Sequence, residues 1–282
     1  MTVNLLDICG GILLSGLIAW LGYRRESLSG SGVVGAMLIG TLTFGLGGWT
    51  WGLLLIGFFV TSSALSHYRG RDKEHLAEKF DKGGRRDLGQ ALANGGWGAA
   101  LVLLQPLFPA YGALLFAAYV GTMAAVNADT WATELGVLSR TEPRLIATGR
   151  RVPVGTSGGV SALGSGAAFL GALVIAGLAV VVRAIHAWAT GSGEAMSLLW
   201  LLPAGVLGGL AGSFLDSLLG ATIQGIYYCD VCQKETERRV HRCGHETRRI
   251  RGWRGLDNDG VNLICSVAGS LVAGLLWVIL AR

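Results

Sequence analysis

Charge is what this 282-residue chain has least of. Only 15% of its residues are Asp, Glu, Lys or Arg, against about 25% in an ordinary soluble domain. With 51% hydrophobic residues and a mean hydropathy of +0.52, that scarcity excludes a soluble enzyme and a disordered chain. Proline is scarce too. There are 5 prolines beside 45 glycines, and the glycines keep no three-residue period, which excludes a collagen-like chain. The phosphate-loop NTPase motif is absent, and no nucleophile, base and orienting partner are arranged for covalent catalysis. What remains is an all-α, polytopic transmembrane helix bundle, a class in which glycine is frequent.

A membrane-crossing helix needs about 20 mostly apolar residues. Eight such segments are predicted, over 4–22, 30–47, 49–66, 89–108, 111–131, 160–186, 198–221 and 259–281, with seven as the alternative count. Arg24 and Arg25 follow the first segment and no basic residue precedes it, so it reads as a span rather than a signal peptide. Basic residues test the count. With the N-terminus outside, all of the 23 Lys and Arg except Arg183 and Arg282 fall in four inner loops: 23–29, 67–88, 132–159 and 222–258. That is the positive-inside pattern, and one span more or fewer mid-chain destroys it. The expectation is one multi-pass domain over 1–282, in a plasma, inner or photosynthetic membrane. Its basic loops and its function lie on the cytoplasmic side, and a Cys/His loop at 222–257 belongs to that side. The net charge of +5 then reports topology and anionic ligands rather than nucleic acid.

Acids near a membrane are expensive, so each is a site hypothesis. Asp87, Asp129, Glu134, Asp216 and Asp259 sit at predicted cytoplasmic helix ends, on four separate spans but at one depth. Their neighbours repeat every four residues on one face: Gly208, Gly212, Asp216, Gly220; Gly121, Ala125, Asp129, Thr133; Asn258, Asn262, Ser266, Ser270; and Asp87, Ala91, Asn94, Gly98. The small residues suit close helix packing. The carboxylates do not, since small residues alone pack as well without the desolvation cost. Hard oxygen ligands at one depth suit Mg²⁺, which is held by one or two carboxylates plus substrate phosphates.

Two loops beside these acids suit anions. Gly155-Thr156-Ser157-Gly158-Gly159-Val160-Ser161 opens a span, offering backbone N–H groups and a positive dipole end. Lys82-Gly83-Gly84-Arg85-Arg86-Asp87 precedes another, its glycines and cations able to close over phosphates. Each alone also reads as an ordinary cap or a solvated loop. A third element stands apart. Cys229-x2-Cys232, His241-x-Cys243 and His245 suit a structural, tetrahedral Zn²⁺ held by Cys229, Cys232, His241 and Cys243, with His245 as a substitute. Cys9 and Cys265 fall inside spans and read as small packing residues.

These motifs carry a resemblance. Lys82-Gly83-Gly84-Arg85-Arg86-Asp87-x2-Gln90-x3-Asn94-Gly95, Ala128-Asp129-Thr130-Trp131-Ala132-Thr133-Glu134, Gly155 to Ser161, Asp216-Ser217-x-Leu219-Gly220-Ala221 and Asn258-Asp259-x-Val261-Asn262 are similar to an integral-membrane family. That family contains plant phytyl-phosphate kinase and transmembrane protein 19. The likeness runs from about residue 24 to 270. It implies phosphoryl transfer from a nucleoside triphosphate, CTP or another, to a prenyl monophosphate lipid. In that reading Asp129 and Asp216 hold Mg²⁺ with Glu134 or Asp259. Lys82, Arg85 and Arg86 neutralise phosphates, and Gly155 to Ser161 cradle them with Ser217 nearby. Asn94, Asn258 and Asn262 orient waters or phosphate oxygens. Three other readings stay open: an anionic-lipid or small-anion transporter, a nucleotidyltransferase forming a CDP-lipid, and a membrane scaffold. A homo-oligomer stays open as well.

Overall fold

The computed structural model describes residues 5–70, 85–191 and 198–281. Among these are seven helices: α1 (Leu5–Arg24), α2 (Gly30–His67), α3 (Leu88–Leu104), α4 (Gly112–Gly136), α5 (Ala162–Thr190), α6 (Leu201–Thr222) and α7 (Asn258–Leu280). All but α3 are long and apolar enough to cross a membrane. Helix α3, expected over 89–108, ends early and has 17 residues.

Helix α2 is a hairpin. Gly48 has φ 72° and ψ −172°, a non-helical conformation inside the run. Gly32 lies against the Arg86 backbone, and Ser63 accepts a hydrogen bond from the Arg86 guanidinium at 2.9 Å. In a straight helix those two residues would be about 46 Å apart at 1.5 Å per residue, far beyond the reach of one arginine. The chain therefore reverses at Gly48, as the two segments 30–47 and 49–66 anticipate. Gly45 sits beside Ile8 near the start of α1, and Phe59 reaches Gly22 near its end. Among the described residues the bundle has eight helical segments.

Helix α4 is the centre, packed against α2, α3, α5, α6 and α7. Its residues Phe116 to Ala128 are nearly all buried. Lipid tails are as apolar as leucine, so such helices associate through close packing rather than the hydrophobic effect. The glycines supply that closeness. A Cβ on Gly209 would stand 2.6 Å from Ala172, one on Gly208 2.6 Å from the Gly269 carbonyl, and one on Gly212 2.9 Å from the Cys265 carbonyl. Asn127 joins three helices. Its Oδ1 accepts from Thr61 and Ser62 on α2, and its Nδ2 donates to the Gly171 carbonyl on α5 at 2.8 Å. Arg183, outside the loop charge pattern, holds its guanidinium 5.3 Å from the Phe116 ring.

The outer surface is greasy. Leu13, Leu38, Phe169, Leu170, Val181, Leu271 and Leu275 are exposed, and Trp188 is 87% exposed. A water-soluble surface would not carry such a belt; a bilayer requires it. Among the described residues, the segments around 25–29, 85–87, 137–161 and 223–257 gather at one end of the bundle. Two small sheets form there. Strands β1 (Arg144–Leu145) and β2 (Gly159–Val160) pair antiparallel. Strands β3 (Ile226–Cys229), β4 (Lys234–Thr236) and β5 (Arg248–Arg251) form a ribbon in the order β4-β3-β5. Neither sheet is expected from the sequence, which reads as an anion-binding loop before a span and as a Cys/His loop.

Candidate active site

A cavity of about 860 Å³ opens at the end of the bundle where these loops meet. Helix α4 supplies Asp129, Thr130, Thr133 and Glu134, α6 supplies Ser213, Asp216 and Ser217, and α7 supplies Asn258 and Asn262. Arg86, Gln90 and Asn94 reach it from the start of α3, and residues 154–161 close one wall. Asp129, Glu134, Asp216, Ser217, Asn258, Asn262 and residues 155–161, far apart in the sequence, thus share one chamber.

Not every expected residue lines it. Asp87 is the N-cap of α3. Its Oδ1 accepts from the Gln90 amide at 2.9 Å, and the Gln90 side chain accepts from the Asp87 amide at 3.2 Å. That reciprocal pair is a capping box, and it places Asp87 in helix initiation rather than in the cavity wall. Arg85 is exposed and pairs with Glu26, itself a lining residue, so it stands at the rim. Asp259 lies in the first turn of α7 but is not a lining residue, unlike Asn258 and Asn262 on either side. Lys82, Gly83 and Gly84 lie outside the described residues.

Among the described residues, Arg86 is the cation of the chamber wall. Its backbone is pinned on both sides, donating to the Ser27 carbonyl and accepting from the Ser29 amide, each at 2.9 Å. Its guanidinium lies 5.6 Å and 5.8 Å from the Phe58 and Phe59 ring centres and donates to Ser63. Glu134 acts on it electrostatically and accepts from Ser66 at 2.6 Å. A charge so held needs little reorganisation to meet a phosphate.

The 153–161 loop is shaped by tight turns. Thr156 donates to the Pro153 carbonyl through both its amide and its hydroxyl, and Gly159 donates to the Thr156 carbonyl. Gly158 has φ 82°, and a Cβ there would meet the Ala221 Cα at 2.6 Å, so glycine is required twice over. Ser161 caps α5 by accepting from the Gly164 amide. The Ser157 and Gly158 amides make no hydrogen bond among the described residues and lie in the wall.

Asp129 and Asp216 face one another's charge, with Glu237 near Asp216. Asp216 Oδ2 is buried and has no hydrogen-bond partner among the described residues, and the buried Cys265 of α7 lies near the same carboxylate. Cys265 is buried, as a packing residue is, whereas Cys9, expected to pack, is exposed on α1. An orphaned carboxylate oxygen beside a second acid fits a hard cation. Among the described residues no group of three acids is placed to hold a metal ion by itself. The donor set therefore fits an ion completed by water and phosphate, which is the habit of Mg²⁺.

Several lining residues escaped sequence reading. Ser157 donates to Gln224 Oε1 at 3.1 Å, and Gln224 Nε2 donates to Glu237 Oε1 at 3.0 Å. Glu26, Ser66 and Glu237 join the wall from loops and helix ends. Beside the chamber runs an apolar slot of about 80 Å³ between α1, both arms of α2, and α3. Ile18, Ala36, Phe44 and Ile56 line it, and it shares Arg86, Gln90 and Asn94 with the chamber.

The Cys/His residues come together on the ribbon. Ligand atoms of Cys229, Cys232, His241 and Cys243 lie within 4.8 Å of one another. His245 Nδ1 stands 3.5 Å from Cys243 Sγ, outside that quartet. Hydrogen bonds from the His245 backbone and the His241 ring hold the Cys243 thiol down at about 5.

Residues 13–270 match the family described as integral membrane protein DUF92. Protein PGR of Arabidopsis thaliana is 35% identical over 276 residues, 94% of each chain. An uncharacterised membrane protein of Methanocaldococcus jannaschii is 28% identical, covering 97% of this chain and 96% of its own. The chloroplastic protein VTE6 of Arabidopsis thaliana is 27% identical over 252 residues, 88% of this chain and 65% of that one. No solved structure matches. The chain belongs to this integral membrane family, the one its motifs resemble.

Proposed function

We propose that this member of the family is a prenyl-phosphate kinase, moving the terminal phosphoryl group of a nucleoside triphosphate, CTP first among them, to a prenyl monophosphate in the membrane. The observation that carries the reading is the junction of two unlike cavities. A polar chamber sized for phosphates abuts an apolar slot, and Arg86, Gln90 and Asn94 belong to both. An amphipathic acceptor fits there, its phosphate on the guanidinium and its chain toward the slot and the lipid. The positive-inside rule supports a cytoplasmic chamber, where nucleotides are.

The chemistry asks for little beyond what lines the chamber. A phosphate monoester is already an oxyanion at neutral pH, so no general base is required. An acceptor oxygen forms a bond to the γ-phosphorus while the bond to the β–γ bridging oxygen breaks, releasing nucleoside diphosphate. Positioning and charge neutralisation supply the rate. Arg86 holds the acceptor phosphate. The Ser157 and Gly158 amides and the Thr156 and Ser161 region bind donor phosphates, with Asn94, Asn258, Asn262 and Ser217 orienting them. Asp129 and Asp216 hold Mg²⁺, which when bound neutralises the phosphate chain; Glu134 keeps Arg86 in place rather than serving as a third ligand.

The test is turnover of detergent-purified protein with phytyl or geranylgeranyl monophosphate, Mg²⁺ and each of CTP, UTP, ATP and GTP, read by mass analysis. Prenyl diphosphate with a nucleoside diphosphate is expected. Pyrophosphate with a nucleotide-linked lipid would make the protein a nucleotidyltransferase instead. No product from folded protein with any pair would overturn the kinase reading and leave transport in its place.

A further inference from the structure

The Cys/His group sits on the ribbon, outside the helices, and phosphoryl transfer makes no use of it. Cys229 ends β3, Cys232 lies in the turn to β4, and His241 and Cys243 come from the β4–β5 connection. Cys229 Sγ and Cys243 Sγ are 3.7 Å apart, and His241 Nδ1 is 3.2 Å from Cys243 Sγ. Two sulfurs on a tetrahedral Zn²⁺ with bonds of about 2.3 Å stand about 3.8 Å apart. The Cys232 amide donates to Cys229 Sγ at 3.5 Å, the local turn that brings both thiols of a Cys-x2-Cys pair to one side. Cys229 and His241 are buried, and His241 Nε2 is buried without a partner among the described residues. A thiol pair oxidised to a disulfide would leave that imidazole and the third thiol unexplained.

The ribbon is not a free appendage. Arg251 of β5 donates to the Ala221 carbonyl at the end of α6. The Trp253 amide donates to the Ile223 carbonyl and the Gly225 amide to the Leu256 carbonyl. Glu237 follows β4 by one residue and reaches the chamber wall. From there the hydrogen bonds run through Gln224 to Ser157 of the anion-binding loop.

We propose that Cys229, Cys232, His241 and Cys243 hold a structural Zn²⁺, and that the ion fixes the ribbon so that Glu237 and Gln224 anchor the 153–161 loop. All four positions are filled by protein, so the ion has no open site for substrate. The proposal stands apart from the phosphotransfer reading, because its readouts need no turnover.

The experiment uses the full-length protein in detergent. Metal analysis is expected to find about one zinc per chain, and none in Cys229→Ser or Cys243→Ser. Co²⁺ exchanged into the site should give the intense visible bands and thiolate charge transfer of a tetrahedral sulfur-rich centre. Amide hydrogen exchange then tests the coupling. Removing the ion with a chelator, which needs no variant, should speed exchange at 226–251 and at 153–161 together. Gln224→Ala should keep the zinc but release 153–161 alone. Zinc-free wild type that does not take up Co²⁺ overturns the site. Accelerated exchange confined to the ribbon, or a Gln224→Ala loop as protected as wild type, overturns the coupling.

Discussion

Gly48 is where one methyl group should undo the hairpin. Its φ of 72° and ψ of −172° fall in a region essentially reserved for glycine, where another residue costs about 1–3 kcal/mol. A Cβ there meets nothing within 4 Å, so no overlap adds to that figure and no contact offsets it. Gly166 is the control. It lies in the interior of α5 and its Cβ also meets nothing within 4 Å, but its backbone is helical. Alanine there should stabilise by up to about 1 kcal/mol. The two substitutions are identical in composition and opposite in expected sign. Thermal unfolding in detergent reads them: Gly48→Ala below wild type, Gly166→Ala at or above it. If Gly48→Ala is stabilised as Gly166→Ala is, residue 48 lies in a continuous helix. The chain would then not reverse there, and Ser63 could not reach Arg86, nor Ser66 the chamber.

Asp216→Asn keeps the shape of the side chain and removes its charge; turnover should fall by about 10²–10³-fold with unfolding temperature unchanged, and near-normal turnover in both it and Asp129→Asn would refute their role. Asp87→Ala should cost about 1 kcal/mol of stability by removing the cap and leave kcat intact; a large loss of kcat at unchanged stability would return Asp87 to the site. Arg86→Lys keeps the charge but not the flat guanidinium between Phe58 and Phe59, so KM for the acceptor should rise about tenfold, equivalent to ~1.4 kcal/mol. An unchanged KM would mean the acceptor phosphate binds elsewhere. Ala36→Phe fills the apolar slot; KM should rise for a long prenyl monophosphate and not for a five-carbon one, and an equal rise for both would separate the slot from chain binding.

The spans were legible because hydropathy and basic-loop placement are summed over many residues, and local error averages out. The hairpin showed through as two segments either side of Gly48. The argument that a charge in an apolar helix needs a reason made the acids of α4 and α6 legible, and Asp129 and Asp216 both line the chamber. It misleads at Asp87, where the charge is matched by an ordinary helix start. Asp87-x2-Gln90 is the spacing of a capping box, a signal present in the sequence and outweighed by the membrane argument. Gln224 and Glu237 had no signal at all. They are common residues in a polar loop, and only the docking of the ribbon on α6 brings them to the chamber. The strands were hidden for the same reason: at two to four residues each, they are too short to show a period.

Helix α4 divides its work by depth. From Phe116 to Ala128 it is buried packing surface, and from Asp129 to Glu134 it faces the chamber. Helix α6 has the same boundary, Gly205 to Gly212 packing and Ser213 to Ser217 lining, and α7 has it in reverse order along the chain, Asn258 and Asn262 lining and Gly269 and Ala273 packing. The three helices are clamped at near-backbone distance through Gly121, Gly208, Gly212 and Gly269. Gly212 is one helical turn from Asp216, about 6 Å along the axis. Side chains on helices that can scarcely slide past one another keep their separation without direct contacts between them. That is how Asp129 and Asp216 keep their places in one chamber wall while no hydrogen bond among the described residues joins them. The glycine content that first marked this chain as a membrane protein is, at these positions, what holds its charged groups in place.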